Sequence, residues 1–295
     1  MNWDDLRIFL AVARNKTLAR AATQLNIDPT TVARRIQRLE AAFSSTLFEH
    51  TPNGHVLTTR GSLLMKHVQS MEDASIAAAE MAGNSGGSAS GVIRISVSEG
   101  FGSGIIARNL HTFTQIHSNI EVELVTSSGF LSPSRREADI AIMLAKPKRG
   151  PLVVRKLTDY RLGLFRNSSI PDINDISEIQ NHPIVGYVPD LIYAPELSYL
   201  NEIASNPVAT LTSTSVIAQT HMVKHGAGIG ILPCFIGDTD AELIRVLPEV
   251  INIRRSFWLV VHRDMRNVAR VRYFMDWLIA LVTKLQPLLQ GNNLC

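Results

Sequence analysis

Cysteine is scarce in this chain: Cys234 and Cys295 are the only two in 295 residues. Two thiols so far apart make no metal-ligand spacing, and a disulfide framework is not expected. Charge is also thin. Asp, Glu, Lys and Arg make up 19% of residues and the formal net charge is +3, so global charge is weak evidence for a nucleic-acid partner. No apolar run is long enough to cross a bilayer. The opening MNWDDL has no basic stretch followed by an apolar core, so a secretory leader is not expected and the cytoplasm is the expected compartment. The nine histidines show no repeated ligand spacing, which argues against a metal site. No Ser-His-Asp, Cys-His or phosphate-loop pattern stands out. The expectation is a globular, non-enzymatic protein of two or three domains, with neither cofactor nor catalytic residues.

The most informative stretch that is present runs from Ile27 to Glu40. Asp28 can cap a helix and Pro29 suits its first position, where a missing N–H costs nothing. Val32, Ile36 and Leu39 recur at helical spacing and form one apolar stripe. Thr30, Thr31, Arg34, Arg35 and Arg38 fall largely off that stripe. A short helix with an apolar back, early hydroxyls and arginines on its open face suits the DNA major groove, with bases read early and phosphates reached by arginine. Upstream, Leu6, Phe9, Leu10 and Ala13 make an apolar helix face ending near Asn15. Thr17 can cap a second helix through Leu25, the small Ala21-Ala22 pair permits close helix approach, and Asn26 stands at the tight turn. Helix, turn and capped helix make a helix-turn-helix. After the Leu47-Phe48 anchor, Asn53-Gly54 reads as a two-residue hairpin turn returning through Val56-Leu57-Thr58. Such a hairpin is a wing that places Asn53 and His55 near the DNA backbone or minor groove. Between Arg14 and Lys66 lie eight basic and three acidic residues, a local basic face despite the low net charge.

The order of these features resembles the LysR-type transcriptional regulators. The resemblance is carried by FLAVARNKTLARAATQLNIDPTTVARRIQRLE, by Leu47-Phe48 and by GHVLTTRG from Gly54 to Gly61. Ala33, Ser44 and His50 depart from the serine, glycine and arginine usual in that family. Thr58 caps a long helix to about Met81. Leu64, Val68, Met71 and Ala78 fall close to a seven-residue repeat, and with the resemblance they imply a dimerising helix. A dimer on two half-sites is expected, and tetramers are common in the family. The Gly83–Gly91 stretch, rich in glycine and serine, reads as a hinge.

Beyond it the pattern becomes α/β. Val92 to Val97, Ile120 to Val125 and Ala138 to Ile142 read as strands, with Ser98 to Gly104 a glycine-serine turn and Ile105 to Ile116 a helix. Val153 to Leu157 and Arg161 to Phe165 read as two strands crossing into a second lobe. ADIAI at Ala138 and HGAGIGILP at His225 extend the resemblance to the family's effector domain, which is similar to type 2 periplasmic binding proteins. Gly226, Gly228 and Gly230 follow a helix, not a strand, so they are not a dinucleotide fingerprint. The resemblance implies a ligand cleft between lobes. Helices beginning after Ser98 and at Ser213-Thr214-Ser215 present N–H groups that can bind a small anion. Ser98, Gly100, Ser103, Ser127, Ser128, Ser213 and Thr214 are the candidate effector contacts; Gly100 replaces a frequent hydroxyl. Glu99 at the mouth disfavours an anion or holds an amine.

The expected organisation is a winged helix-turn-helix domain at 1–58, a linker helix at 59–82, a hinge at 83–91 and an effector domain at 92–295. Within the last, lobe I covers about 92–161 and 267–295 and lobe II about 162–266. The expected partners are double-stranded DNA, a small-molecule effector and further copies of the chain, with no membrane. A solute-binding protein or small-molecule enzyme with an appended helical domain is the competing reading; it predicts transport or catalysis without DNA affinity.

Overall fold

The computed structural model describes residues 2–52, 54–81, 89–126, 133, 137–147, 150–203 and 207–292, apart from the side chains of 66, 73 and 76–81. The chain forms two compact units, Met1–Gly86 and Gly87–Cys295. The hinge read at 83–91 lies mostly outside the described residues.

The first unit opens with α1 (Trp3–Asn15), whose Asn2 side chain accepts from Asp4 N–H and whose end is set by Lys16 in the left-handed region. α2 (Leu18–Leu25) is capped by the Thr17 hydroxyl and stopped by Asn26, also left-handed. α3 (Pro29–Phe43) starts at Asp28 with Pro29 in its first turn and runs three residues past Glu40, to a left-handed Ser44. Val32, Ile36 and Leu39 are buried together with Phe9, Val12, Ala21 and Ala22. Each large side chain so buried contributes about 1.5–3 kcal/mol.

The wing is β1 (Phe48–Thr51) and β2 (Gly54–Leu57), antiparallel. Its register pairs Thr51 with Gly54, so Gly54 belongs to the strand and not, as its sequence suggests, to the turn. The reason lies at Lys16, whose carbonyl accepts from His55 N–H at 2.7 Å. Gly54 has φ +104°, and a Cβ there would run into that same carbonyl. The glycine lets the hairpin dock on the α1–α2 corner.

α4 (Thr59–Met81) is capped by Thr58, whose hydroxyl accepts from Gly61 N–H at 2.9 Å. Its expected seam needs correction. Val68 is fully buried in the core of its own unit, and Leu64 packs half-buried against that core. Arg14 and Glu72 pair at 2.6 Å and tie α4 to α1. The small domain therefore covers more of this helix than its size suggested. Met71 remains exposed, as does Leu63, while the side chain of Ala78 lies outside the described residues.

The second unit begins with β3 (Gly91–Val97), then α5 (Glu99–Phe101), a π-helical turn over Gly102–Ile106, α6 (Ala107–Ile116), β4 (Ile120–Thr126) and β5 (Ile140–Met143). The stretch expected as a glycine-serine turn is thus helical from Glu99 onward. A side chain at Gly102 would strike Val97 and Thr126, and Gly104 lies against Phe235. These glycines permit close helix-to-strand packing.

β6 (Leu152–Asn167) is one long strand where two were expected. β7 (Ile184–Gly186), β8 (Leu211–Thr212), α7 (Val216–Lys224), β9 (Ile229–Pro233), α8 (Cys234–Gly237), β10 (Leu243–Val246), β11 (Ile253–His262), α9 (Ala269–Lys284) and α10 (Gln286–Leu289) complete the fold. The sheet order is β4-β3-β5-β11-β6-β9-β7-β8, with β10 also on β6. β3 is parallel to β4 and β5, and β9 and β8 are parallel to β7. Between these groups β6 and β11 run antiparallel, with a register shift at Phe257/Trp258. Two parallel groups joined by two long shared strands make the two-lobed architecture. Among the described residues no helix is long and apolar enough to cross a membrane.

Candidate DNA-reading surface and effector cavity

The stripe that buries Val32, Ile36 and Leu39 turns the opposite side of α3 outward. Thr30 and Arg34 are exposed and Thr31 is half-buried. The Thr30 hydroxyl donates to Asp28 Oδ1 at 2.5 Å, and Thr30 N–H donates to the same oxygen. These bonds hold the Asp28 carboxyl below its usual range.

The three arginines do not share one environment. Arg35 bonds Asp4 at 2.6 Å and Asp5 at 3.2 Å, and Arg38 clamps both oxygens of Asp5. Asp5 itself is buried. Burial opposes its charge, but hydrogen bonds from Arg38 and Arg35, together with their positive charge, outweigh that and lower its pKa. Two guanidiniums read from sequence as free phosphate contacts therefore also bolt α3 to the start of α1. For Arg34 no ion pair occurs among the described residues.

Lys16 and Arg20, at the α1–α2 corner, face His50 and Thr51 of the wing across a shallow groove that also includes Arg14. They carry positive charge beside the wing, a placement visible only once the hairpin register is known. His55 is half-buried, with its ring 5.0 Å from that of His50. Asn53 lies outside the described residues.

In the second unit a cavity of about 270 Å³ opens where β3, β6 and β11 meet α5 and α7. Ser98, Gly100 and Thr214 line it, whereas Ser103 and Ser213 do not. Ser127 and Ser128 lie outside the described residues. Ser98 is buried and makes no helix-capping bond. Gly100 contributes backbone alone, because a Cβ there would press Val216 at 3.1 Å and Ile236 at 3.4 Å. The Ser213 hydroxyl instead accepts from Ser215 N–H at 3.1 Å.

The α7 N-terminus is not left open for an anion. Glu99 reaches it from α5: Oε1 accepts from the Ser215 hydroxyl at 2.9 Å, and Oε2 meets Ile217 N–H at 3.5 Å. Ser215 in turn accepts from Ala218 N–H at 3.0 Å. The chain supplies its own carboxylate where an anionic ligand was expected.

The largest contribution to the walls is aromatic and was missed from sequence. Tyr160, Tyr187, Tyr193 and Tyr199, four of the five tyrosines in the chain, line this one cavity. Their crowding between positions 160 and 199 is the signal that was available. Phe101, Phe235 and Phe257 complete the lining, with Tyr160 stacked on Phe257 at 4.2 Å and Phe101 at 4.3 Å from the same ring. Tyr199 donates to the Ile231 carbonyl at 3.3 Å. Burial raises the pKa of all four phenols, Tyr193 to about 12, with the nearby Glu99 charge adding to the shift for Tyr187 and Tyr193. All four are neutral near pH 7. No group of three or more metal-ligating side chains occurs among the described residues.

Residues 3–62 match the family described as bacterial regulatory helix-turn-helix protein, lysR family, and residues 86–282 match the LysR substrate binding domain. The Mau operon transcriptional activator of Paracoccus denitrificans is 26% identical over 284 residues, covering 94% of this chain and 95% of that protein. HTH-type transcriptional regulator CrgA of Neisseria meningitidis serogroup C is 25% identical over 309 residues, covering 100% and 99%. The solved structure of CrgA shares the fold with a TM-score of 0.59 at 23% identity, over 95% of this chain and 98% of that one. A full-length OxyR variant from Pseudomonas aeruginosa reaches 0.69 at 14% identity over the same shares. The helix-turn-helix with its wing, the two-lobed domain and these two family matches, which together span most of the sequence, establish that the chain is a member of the LysR family of transcriptional regulators.

Proposed function

We propose that this regulator reads duplex DNA with the N-terminal turns of α3 and answers to a small molecule held in the aromatic cavity. Thr30, Thr31 and Arg34 meet base edges in the major groove. Lys16, Arg20 and the wing around His55 hold the backbone, and Arg35 and Arg38 reach phosphates only by sharing charge with Asp4 and Asp5. One such unit carries few free cations, so binding is expected from a dimer on two half-sites. The exposed face of α4 around Leu63 and Met71 is the proposed contact between copies. The working divisions are 1–58 for DNA reading, 59–82 for the linker helix, 83–91 for the hinge and 92–295 for the effector domain. An effector alters DNA binding only by favouring one arrangement of the lobes over another.

The observation that carries this reading is the exposure of Thr30 and Arg34 on a helix whose opposite face is fully locked into its own core. The test is fluorescence anisotropy of the full chain on DNA from beside its own gene and on a scrambled duplex, across a salt series. Preference for the first duplex, with affinity falling as salt rises, is expected. Equal affinity for both, or no affinity at low salt, overturns it.

A further inference from the structure

Resting on the reading of the cavity as the effector site, we propose that the effector is a small organic cation, an amine or quaternary ammonium, recognised by the tyrosine-rich walls and Glu99. Among the described residues lining the cavity, Glu99 bears the only formal charge, and no lysine, arginine or histidine stands with it. An anion entering here would meet a carboxylate of its own sign in a site walled by seven aromatic rings. A cation meets the reverse situation. Ring faces carry negative quadrupole density and attract it, best where it is stripped of water.

Glu99 has capacity to spare. A carboxylate offers about four lone-pair positions. Glu99 uses one at 2.9 Å on Ser215 and a second, weak one at 3.5 Å on Ile217, so an ammonium can join without displacing either. The buried Ser98 hydroxyl supplies another acceptor near the same end.

A second carboxylate stands behind the cavity wall. Oε2 of Glu196 is buried and has no hydrogen-bond partner among the described residues, and its charge acts on Tyr160 in the cavity wall. Arg255 acts on Tyr160 in the opposite sense and more strongly than Glu196, with its guanidinium tied to Glu202 and to the Glu196 carbonyl, so Glu196 lessens that positive field without reversing it. The volume of about 270 Å³ is just below the usual range of about 300–1,000 Å³ for ligand sites, so the cation is small.

The test uses full-length protein and three probes of similar shape and different charge: 2-phenylethylamine, 2-phenylethanol and 3-phenylpropanoate. Calorimetric titration and thermal shift are read together, at millimolar probe and near pH 7. The amine is expected to bind about tenfold or more tightly than the alcohol and the carboxylate, the size of effect that a charge-assisted bond gives. Glu99→Gln keeps an oxygen for Ser215 and is expected to erase most of that preference. Glu196→Gln, at a residue outside the lining, is expected to reduce it by a smaller factor. If the carboxylate binds best, or all three bind alike, the charge assignment is overturned while the cavity stands as the effector site. If none binds, both readings fall together. A Glu99→Gln protein that is folded by circular dichroism and keeps the full amine preference also overturns it.

Discussion

Each unit of this regulator meets an expected anion with a carboxylate of its own, and the two differ in what is left over. In the helix-turn-helix unit, Asp4 and Asp5 take up Arg35 and Arg38, yet the Arg38 side chain is still 59% exposed and Arg34 has no ion pair among the described residues. Positive charge remains for a phosphate. In the two-lobed unit, Glu99 fills the helix N-terminus and leaves a cavity whose described walls carry no positive side chain. A carboxylate therefore braces a basic surface in one place and, on the proposed reading, sets the charge of the ligand site in the other. Asp5 fixes two guanidiniums that still reach solvent, whereas Glu99 spends its carboxylate on the Ser215 hydroxyl and Ile217 N–H at a cavity wall.

The comparison breaks most visibly at Asp5. Asp5→Ala removes the acceptor of two arginines and is expected to destabilise the first unit by about 2–3 kcal/mol, less than a fully buried pair because both guanidiniums reach solvent. Urea unfolding checks it, and a loss within error would reduce the cluster to a surface pair. The pH dependence has a fixed sign. The folded pKa of Asp5 is lowered, so its contribution is present above the unfolded carboxylate value near pH 4 and is lost as pH falls through the lower folded value.

Arg34→Ala sharpens the contrast between braced and free arginines. It is expected to cost about 1–3 kcal/mol of operator affinity while leaving the melting temperature unchanged. Relaxed preference at one base pair assigns it to a base, and uniform weakening assigns it to phosphate. Along α4, Val68→Ala is expected to lower stability by about 1–2 kcal/mol at any protein concentration, since it hollows the core. Met71→Ser is expected to leave unfolding alone and raise the concentration at which copies associate, as measured by sedimentation. If Val68→Ala instead weakens association alone, α4 packs differently.

The smallest effect is at Ser44, which holds φ 47° at the end of α3. Ser44→Gly is expected to add about 0.5–1 kcal/mol, because glycine carries no Cβ penalty there. Thermal unfolding decides it, and a lower melting point would mean that the hydroxyl has an unrecognised role.

The first unit was legible from sequence because its signals are local. Caps at Thr17, Asp28 and Thr58 and the apolar spacing of α3 all act within a turn or two. What was not legible there depended on distant neighbours: the register of the wing, set by the Lys16 carbonyl, and the partners of Arg35 and Arg38, thirty or so residues away. In the second unit β3, β4, β5 and two stretches of β6 were visible, but β10 and α8 were not, and the glycines of 98–104 looked like a turn because their packing role against Val97, Thr126 and Phe235 is non-local. The cavity was least legible. Its walls are gathered from α5, β6, β11 and the segment after β7, and serines near helix starts drew attention that belonged to tyrosines.

The register shift at Phe257/Trp258 leaves β6 with one residue, Leu157, that β11 does not pair. Deleting Leu157 would leave Lys156 and Thr158 paired with Trp258 and Phe257 as a regular ladder, whereas a residue added elsewhere in either strand must bulge out as Leu157 does or turn one end of the shared ribbon inside out. Either the stacked Tyr160–Phe257 pair or the Val154–Val260 end would then face the wrong way. The ribbon thus absorbs a change of length locally, as a bulge that costs one unpaired residue.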